Sequence, residues 1–263
     1  MNPALWDTHI HLDFFHDARE TAREAEELGL GMLAMTVTPR DHLRVLPELG
    51  DLPNVRLGVG LHPWWAADGR CGPEDAVLAA DLARNTRFIG EIGLDASPKH
   101  VPEGSLDTQI KTFETICTAC AETSDPAAPK ILSIHSVKSA GLTLDILQKT
   151  GCLKSCRCIF HWFTGSNEEL NRAVKAGCMF SINSMMLNTR RGREYARQLP
   201  ADRLLLETDL PPGRDILFPA AKITEDLEST LTALELIRGS TLRDILLKNT
   251  ENLLGTVSQR LTL

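Results

Sequence analysis

The chain has 263 residues, 43% of them apolar and 24% charged, with a formal charge of −7 and a pI near 5.6. That is an ordinary soluble composition, long enough for one large core or two small ones, and it excludes a protein that holds nucleic acid through a basic overall field. Seven cysteines are scattered along it, no secretory segment opens it, and no apolar run reaches the roughly 18 residues of a membrane span, so a reduced, cytoplasmic protein away from membranes is expected.

In chain order, eight apolar, strand-like runs alternate with amphipathic stretches: LWDTHIHLD, LGMLAMTVT, VRLGVGLHP, RFIGEIGLD, KILSIHS, CRCIFHWFTG, CMFSINS and RLLLETD. After the first run, Ala18, Ala22, Ala25 and Leu28 keep the spacing of a buried helix face before Gly29. Residues 121–130 read as a helix-to-strand loop. Ser166 and Glu169 form a capping box for a helix that stops at Gly177. Leu231, Leu234 and Ile237 mark a late helix face, and Thr241 is the expected N-cap of the last helix. Strands alternating with helices predict parallel βαβ units, and the length suits a barrel of about 250 residues. An open doubly wound sheet is the alternative, but no Gly-rich phosphate fingerprint follows the first strand. With no linker or break in composition, the prediction is α/β: a single (β/α)8 TIM-type barrel over residues 1–263.

Side chains two apart on a strand share a face, so His9 and His11 converge on one spot. Alone, the pair also fits a surface strand with two solvated rings. What gives it weight is recurrence at the other strand ends. His62 closes the third run, Glu91 lies in the fourth, His135 closes the fifth, His161 the sixth, and Asp209 the eighth, two residues after Glu207. Barrel enzymes gather their reactive groups at this rim. His16 and His100 fall elsewhere, and His42 on a helix start. Imidazoles with carboxylates suit Zn, Mn, Mg or a similar divalent ion, and so many donors exceed one tetrahedral ion. A central carboxylate can bridge two ions held about 4 Å apart. Two divalent ions are therefore expected, the first on His9, His11, Glu91 and Asp209, the second on Glu91, His135 and His161.

The strings DTHIHLD (7–13), GLHP (60–63), GEIGLD (90–95), HWFTGS (161–166) and LLETDLPP (205–212), with Gln109 and Phe113, occur in that order. Together they resemble the TatD-like metal-dependent deoxyribonucleases of the amidohydrolase-like barrels, over nearly the whole chain. The resemblance implies a metal-dependent hydrolase of ester bonds, an exonuclease acting on single-stranded or duplex DNA ends. The chain departs from the family at ASPKH (96–100), where aromatics are usual, and at Val137, where an arginine is usual and Lys138 comes next. Trp162 replaces the more usual cysteine, and Leu210-Pro211-Pro212 follow the eighth strand. These changes spare the metal set and alter the substrate-facing loops.

For phosphodiester hydrolysis, Asp209 is the expected general base, and Glu207 orients a ligand or a nearby basic residue. His62 has no place in the two coordination spheres. It either donates to a phosphate oxygen or is a buried ring bonded to backbone beside Pro63. Lys138, Arg190 and Arg191 are the expected phosphate contacts, although Arg190 and Arg191 also fit a solvated helix face. Trp64, Trp65 and Trp162 either stack on a base or pack under a loop. Thr36, Thr38 and Asn183 line the pocket or serve strand-end turns. No fourfold cysteine spacing appears, so free thiols are expected. C–N, ester or lactone hydrolysis on the same barrel is the alternative; such enzymes often bridge their metals with a modified lysine where Glu91 stands. A barrel that only binds a partner is a third reading, and a monomer is expected.

Overall fold

All eight expected strands form in the computed structural model, which describes residues 3–255. They are β1 (Leu5–Ile10), β2 (Leu30–Met35), β3 (Val55–Gly58), β4 (Phe88–Asp95), β5 (Ile131–Val137), β6 (Arg157–His161), β7 (Met179–Ile182) and β8 (Leu204–Leu206). Every ladder between them is parallel. β1–β3 form one sheet and β4–β8 another, and two seams close the ring. At the first, Val59 bridges Ile89 just beyond β3, and the Glu91 amide donates to the Thr36 carbonyl at 2.8 Å. At the second, the Thr8 hydroxyl donates to the Leu206 carbonyl at 2.8 Å, and the Asp209 amide to the His9 carbonyl at 2.9 Å. Buried Asp7 adds a clamp there, accepting from the amide and hydroxyl of Thr208. The result is a (β/α)8 barrel, as the alternation predicted.

The period-two pattern of the strands positions the site. Trp6, Leu33, Met35, Ile131, Ile159, Met179 and Leu205 pack together with Leu253 and Leu254 of the last helix, Arg243–Leu254. These residues fill the lower barrel. Moving up the same inward faces, the side chains turn polar: Ile131, Ser133, His135 on β5; Ile159, His161 on β6; Leu205, Glu207 at β8. In β1 a register shift between Asp7 and Ile10 lets both Trp6 and His9 face inward. The outward faces, such as Met32, Leu132, Phe160 and Phe180, join the larger core under the helices. Burial on both faces explains why the runs read as continuously apolar.

Helix ends depart from expectation where capping comes from a distance. Leu28 was expected on the buried face, but the helix ends at Glu27 and Leu28 is 50% exposed. Thr241 was expected as a cap, but Leu242 takes that place, because Glu235 on the preceding helix accepts the amides of Leu242 and Arg243 at 2.7 and 3.3 Å. The helix Leu106–Thr123 runs into the expected loop. The Ser166–Glu169 capping box forms, and Gly177 takes φ +84° as the residue ending that helix requires. Ile237 is only partly buried. Among the described residues, no helix is long and apolar enough to cross a membrane, and all seven cysteines are free and buried.

Candidate metal centre

Glu91 stands at the centre of the rim, 2% exposed. Bare backbone around it permits the approach. A Cβ on Gly60 would sit 1.9 Å from the Thr36 carbonyl oxygen and 2.4 Å from the Glu91 nitrogen. Gly93 has φ +141°, and a Cβ there would meet the His135 carbonyl oxygen at 2.1 Å. The two oxygens of Glu91 serve different rings. Oε2 lies 3.4 Å from His9 Nε2 and 3.2 Å from His11 Nε2. Oε1 lies 2.7 Å from His135 Nδ1, 2.8 Å from His161 Nε2 and 3.1 Å from His62 Nε2. Asp209 joins the first group, its Oδ1 3.6 Å from His9 Nε2 and 3.4 Å from His11 Nε2. Two donors bonded at about 2.1 Å to one ion lie roughly 3.0–3.4 Å apart. The separations on both sides of Glu91 fall close to that range.

The far nitrogens of the rings reveal where their protons sit. His11 Nδ1 lies 3.0 Å from the Met35 carbonyl, an acceptor only, so it donates there. His135 Nε2 donates likewise to Asp95 Oδ2 at 3.2 Å. The remaining nitrogen of each ring points its lone pair at an anionic carboxylate oxygen of Glu91, an arrangement that repels. Each ring must either take a second proton or face a cation. With no cation counted, burial disfavours a charged His11, yet Asp209 and Glu91 outweigh burial and push it up to about 10. His9 Nε2 is buried with no hydrogen-bond partner, while its Nδ1 rests 2.7 Å from Ser133 Oγ. Burial would raise Glu91, but the imidazoles gathered round it, His62 and His161 foremost, hold it well below the usual carboxylate value. Such a donor set, starved of positive charge, fits divalent ions.

His62 is arranged differently. It caps the short helix Pro63–Ala67, and its Nδ1 accepts the Trp64 amide at 3.1 Å. That spends the Nδ1 lone pair and leaves the proton on Nε2, so the ring faces Glu91 Oε1 as a donor. Burial keeps it neutral, pushing it down to about 4. The backbone-bonded ring weighed from sequence is thus present, and that bond leaves an Nε2–H free to donate, here toward Glu91. It also lies inside the donor cluster, with Glu91 and His135, rather than apart from it.

Asp209 takes φ +59°, Lys138 φ +53° and Trp162 φ +39°, values that side-chain-bearing residues seldom adopt. All three turn the chain just past a strand, and such outliers cluster at functional sites. Asp209 lies beside a cavity of about 280 Å³ that Met185, Leu210 and Pro212 also line. Glu207, fully buried, accepts from Ser181, from Asn183 Nδ2 at 2.9 Å and from the Trp162 amide at 3.1 Å, and sits 3.9 Å from His161 Nδ1. No lysine or arginine reaches it among the described residues, so of the two expected partners, a ligand or a basic residue, only a ligand, His161, lies nearby. Lys138, Arg190 and Arg191 are exposed at the rim; Arg191 touches the Gly165 carbonyl at 3.4 Å. Thr36 binds the Gly58 carbonyl across to the neighbouring strand, while Thr38 and Asn183 cap helices in strand-end turns.

The residue that sequence reading missed is Asp95. Its Oδ2 accepts from Trp64 Nε1 at 2.7 Å and lies 2.9 Å from His100 Nδ1, while Gln109 clamps its amide and carbonyl at 2.8 and 3.0 Å. Burial would raise its pKa, but hydrogen bonds from His135, Trp64, Ser97 and His100 carry it well below the usual carboxylate range. Its signal in the sequence is an acid closing the fourth strand in GEIGLD, four residues after Glu91. His100, set aside as lying off the strands, sits at the same place.

The sequence model described as TatD related DNase matches residues 6–255. The chain is 32% identical over 220 residues to the 3′-5′ ssDNA/RNA exonuclease TatD of Erwinia billingiae, covering 79% of each chain. It is 26% identical over 215 residues to the uncharacterized metal-dependent hydrolase YabD of Bacillus subtilis, covering 79% of this chain and 80% of that one. Its fold superimposes on the crystal structure of YJJV, a TatD homolog from Escherichia coli K12, with a TM-score of 0.78 at 19% identity, over 97% of this chain and 99% of that one. Barrel, rim chemistry and sequence agree: the chain belongs to the TatD-related DNase family of metal-dependent hydrolases.

Proposed function

We propose that this hydrolase is a deoxyribonuclease that trims DNA ends, working with two divalent ions divided by Glu91. The observation that carries the reading is the pair of ring lone pairs, on His11 and His135, aimed at opposite oxygens of one carboxylate. His9, His11, Glu91 and Asp209 would hold one ion and Glu91, His135 and His161 the other. When bound, such ions acidify water toward neutrality and offset charge on the phosphate oxygens.

The chain's own groups do the rest. Asp209, at 18% the most exposed of the donors, accepts the proton of the attacking water. Burial raises its carboxyl, but His11 and the neighbouring imidazoles carry it below the ordinary aspartate value. His62 turns its Nε2–H from Glu91 to a phosphate oxygen, a donor that needs no change of tautomer. Glu207 steadies the back of the pocket through Ser181, Asn183 and the Trp162 amide. Lys138, Arg190 and Arg191 meet flanking phosphates. The named activity of the Erwinia relative, on single-stranded DNA and RNA, supports a single-stranded end as substrate. Glu91, rather than a lysine, favours phosphodiesters over amides or lactones.

Protein stripped of metal, then given Mg, Mn or Zn, should cleave labelled single- or double-stranded DNA, and His135→Ala and Asp209→Ala should both abolish cleavage. No cleavage with any ion, with turnover of an amide or lactone instead, would overturn the proposal.

A further inference from the structure

Asp95 ties together three rings from three rim segments: Trp64 after β3, His100 after β4 and His135 on β5. The Trp64 and His100 ring centroids are 5.1 Å apart at 49°. The other ring neighbours of the indole are His62 at 4.9 Å and His135 at 6.1 Å. The pair therefore borders the metal centre on its Oε1 side. Both rings are only partly covered, the His100 side chain being 39% exposed. Trp65 is another matter, because the Arg70 guanidinium lies 3.9 Å over its ring. Sequence could not tell the two tryptophans apart; their neighbours do.

Resting on the nuclease reading, we propose that Trp64 and His100 form the surface on which the terminal base of a single-stranded DNA end stacks, setting its phosphodiester beside His62 and Glu91. Asp95 occupies the indole N–H and the near nitrogen of His100, so the rings are held in place before substrate arrives. With the indole's only donor spent inward, Trp64 offers a base its face rather than a hydrogen bond, and stacking of that kind tolerates any base. Such a surface also answers a deficit. At a net charge of −7 the chain has no overall basic field to capture DNA, so an end must be held by local cations and by contact area. Packing alone would account for the indole but not for an imidazole kept half in solvent beside it.

The test uses oligonucleotides carrying a normal base at both ends, or a tetrahydrofuran abasic residue at the 3′ or the 5′ end. KM and kcat are measured on the metal-loaded enzyme, and affinity by fluorescence anisotropy on protein held in chelator. In wild type, one abasic end should weaken binding and raise KM about tenfold, as loss of one stacked base does. Trp64→Leu should bring the base-bearing and abasic substrates to within about twofold of each other, and Trp64→Phe should retain most of the difference. His100→Ala, at a half-exposed loop position, should narrow the difference in part and serves if Trp64→Leu misfolds. Equal treatment of all three substrates by active wild type would overturn this inference and leave the nuclease reading standing. A Trp64→Leu variant that loses kcat equally on all substrates while keeping the discrimination would also overturn it, assigning the indole to the support of Asp95. Absence of both cleavage and binding with every ion would instead remove the nuclease reading, and this inference with it.

Discussion

The two sides of Glu91 are built by different means. On the Oε2 side, His9 lies on β1 and His11 just past its end, and Asp209 is stitched to that strand through backbone, its amide on the His9 carbonyl. The rings there are braced by a serine hydroxyl and a main-chain carbonyl. On the Oε1 side, His62, His135 and His161 come from three separate strand ends and are braced one by one: the Asp95 carboxylate behind His135, the Trp64 backbone amide on His62, and no hydrogen bond on His161 Nδ1, which lies 3.9 Å from Glu207. One side is fixed by the barrel's closure. The other depends on substitutable groups and faces the aromatic and basic rim, so we expect it to be where metal affinity and substrate preference are adjusted.

The largest break is at the shared residue. Glu91→Gln keeps the shape but removes the charge that both sides use. Metal analysis should find both ions depleted, and kcat should fall by about 10³-fold or more, the equivalent of several kcal/mol. Two ions per chain retained in Glu91→Gln would refute its bridging position. Next comes Asp209→Asn, confined to the Oε2 side. We expect kcat to drop about 10²- to 10⁴-fold, in the range for loss of a general base, even at saturating metal. Full kcat once metal is raised would reduce Asp209 to a ligand. Smaller again is Asp95→Asn on the Oε1 side. Loss of a carboxylate behind a metal-binding histidine costs about 10- to 100-fold in metal affinity, so calorimetric titration should show one of two binding events weakened. Equal weakening of both would show that the two sides are not separable in this way.

The same contrast explains what the amino-acid string disclosed. The barrel and the donors were legible because period-two strands and the rim rule place residues such as His135 and Asp209 with no knowledge of their neighbours. Proton positions were not legible. His62 is a donor because the Trp64 amide two residues on occupies Nδ1, and His11 has its lone pair inward because Met35, on another strand, accepts the opposite proton. Asp95 and His100 were missed for a related reason: their meaning lies in hydrogen bonds to Trp64 and His135, which are distant in the chain. The misplaced cap at Thr241 repeats it on a small scale, since Glu235 supplies the acceptor from the previous helix.

The finest distinction between the two sides concerns their surface cations. Beside β1 and β8, Arg214 is paired with Asp41 at 2.8 Å, and Arg44 with Asp41 and Asp13 at 3.1 and 3.5 Å. These charges are already answered. Across the rim, Lys138, Arg190 and Arg191 stand exposed and form no ion pair among the described residues. A polyanion gains more from the second group, because it displaces no carboxylate. Each phosphate contact contributes a slope of about 0.7 in log K against log salt for a single strand. The double variant Arg190→Ala/Arg191→Ala should therefore flatten that slope by roughly 1.4, with kcat little changed. Arg214→Ala should leave the slope near its wild-type value. If Arg214→Ala flattened it and the double variant did not, the strand would run over the β1–β8 side, and the roles of the two sides would be reversed.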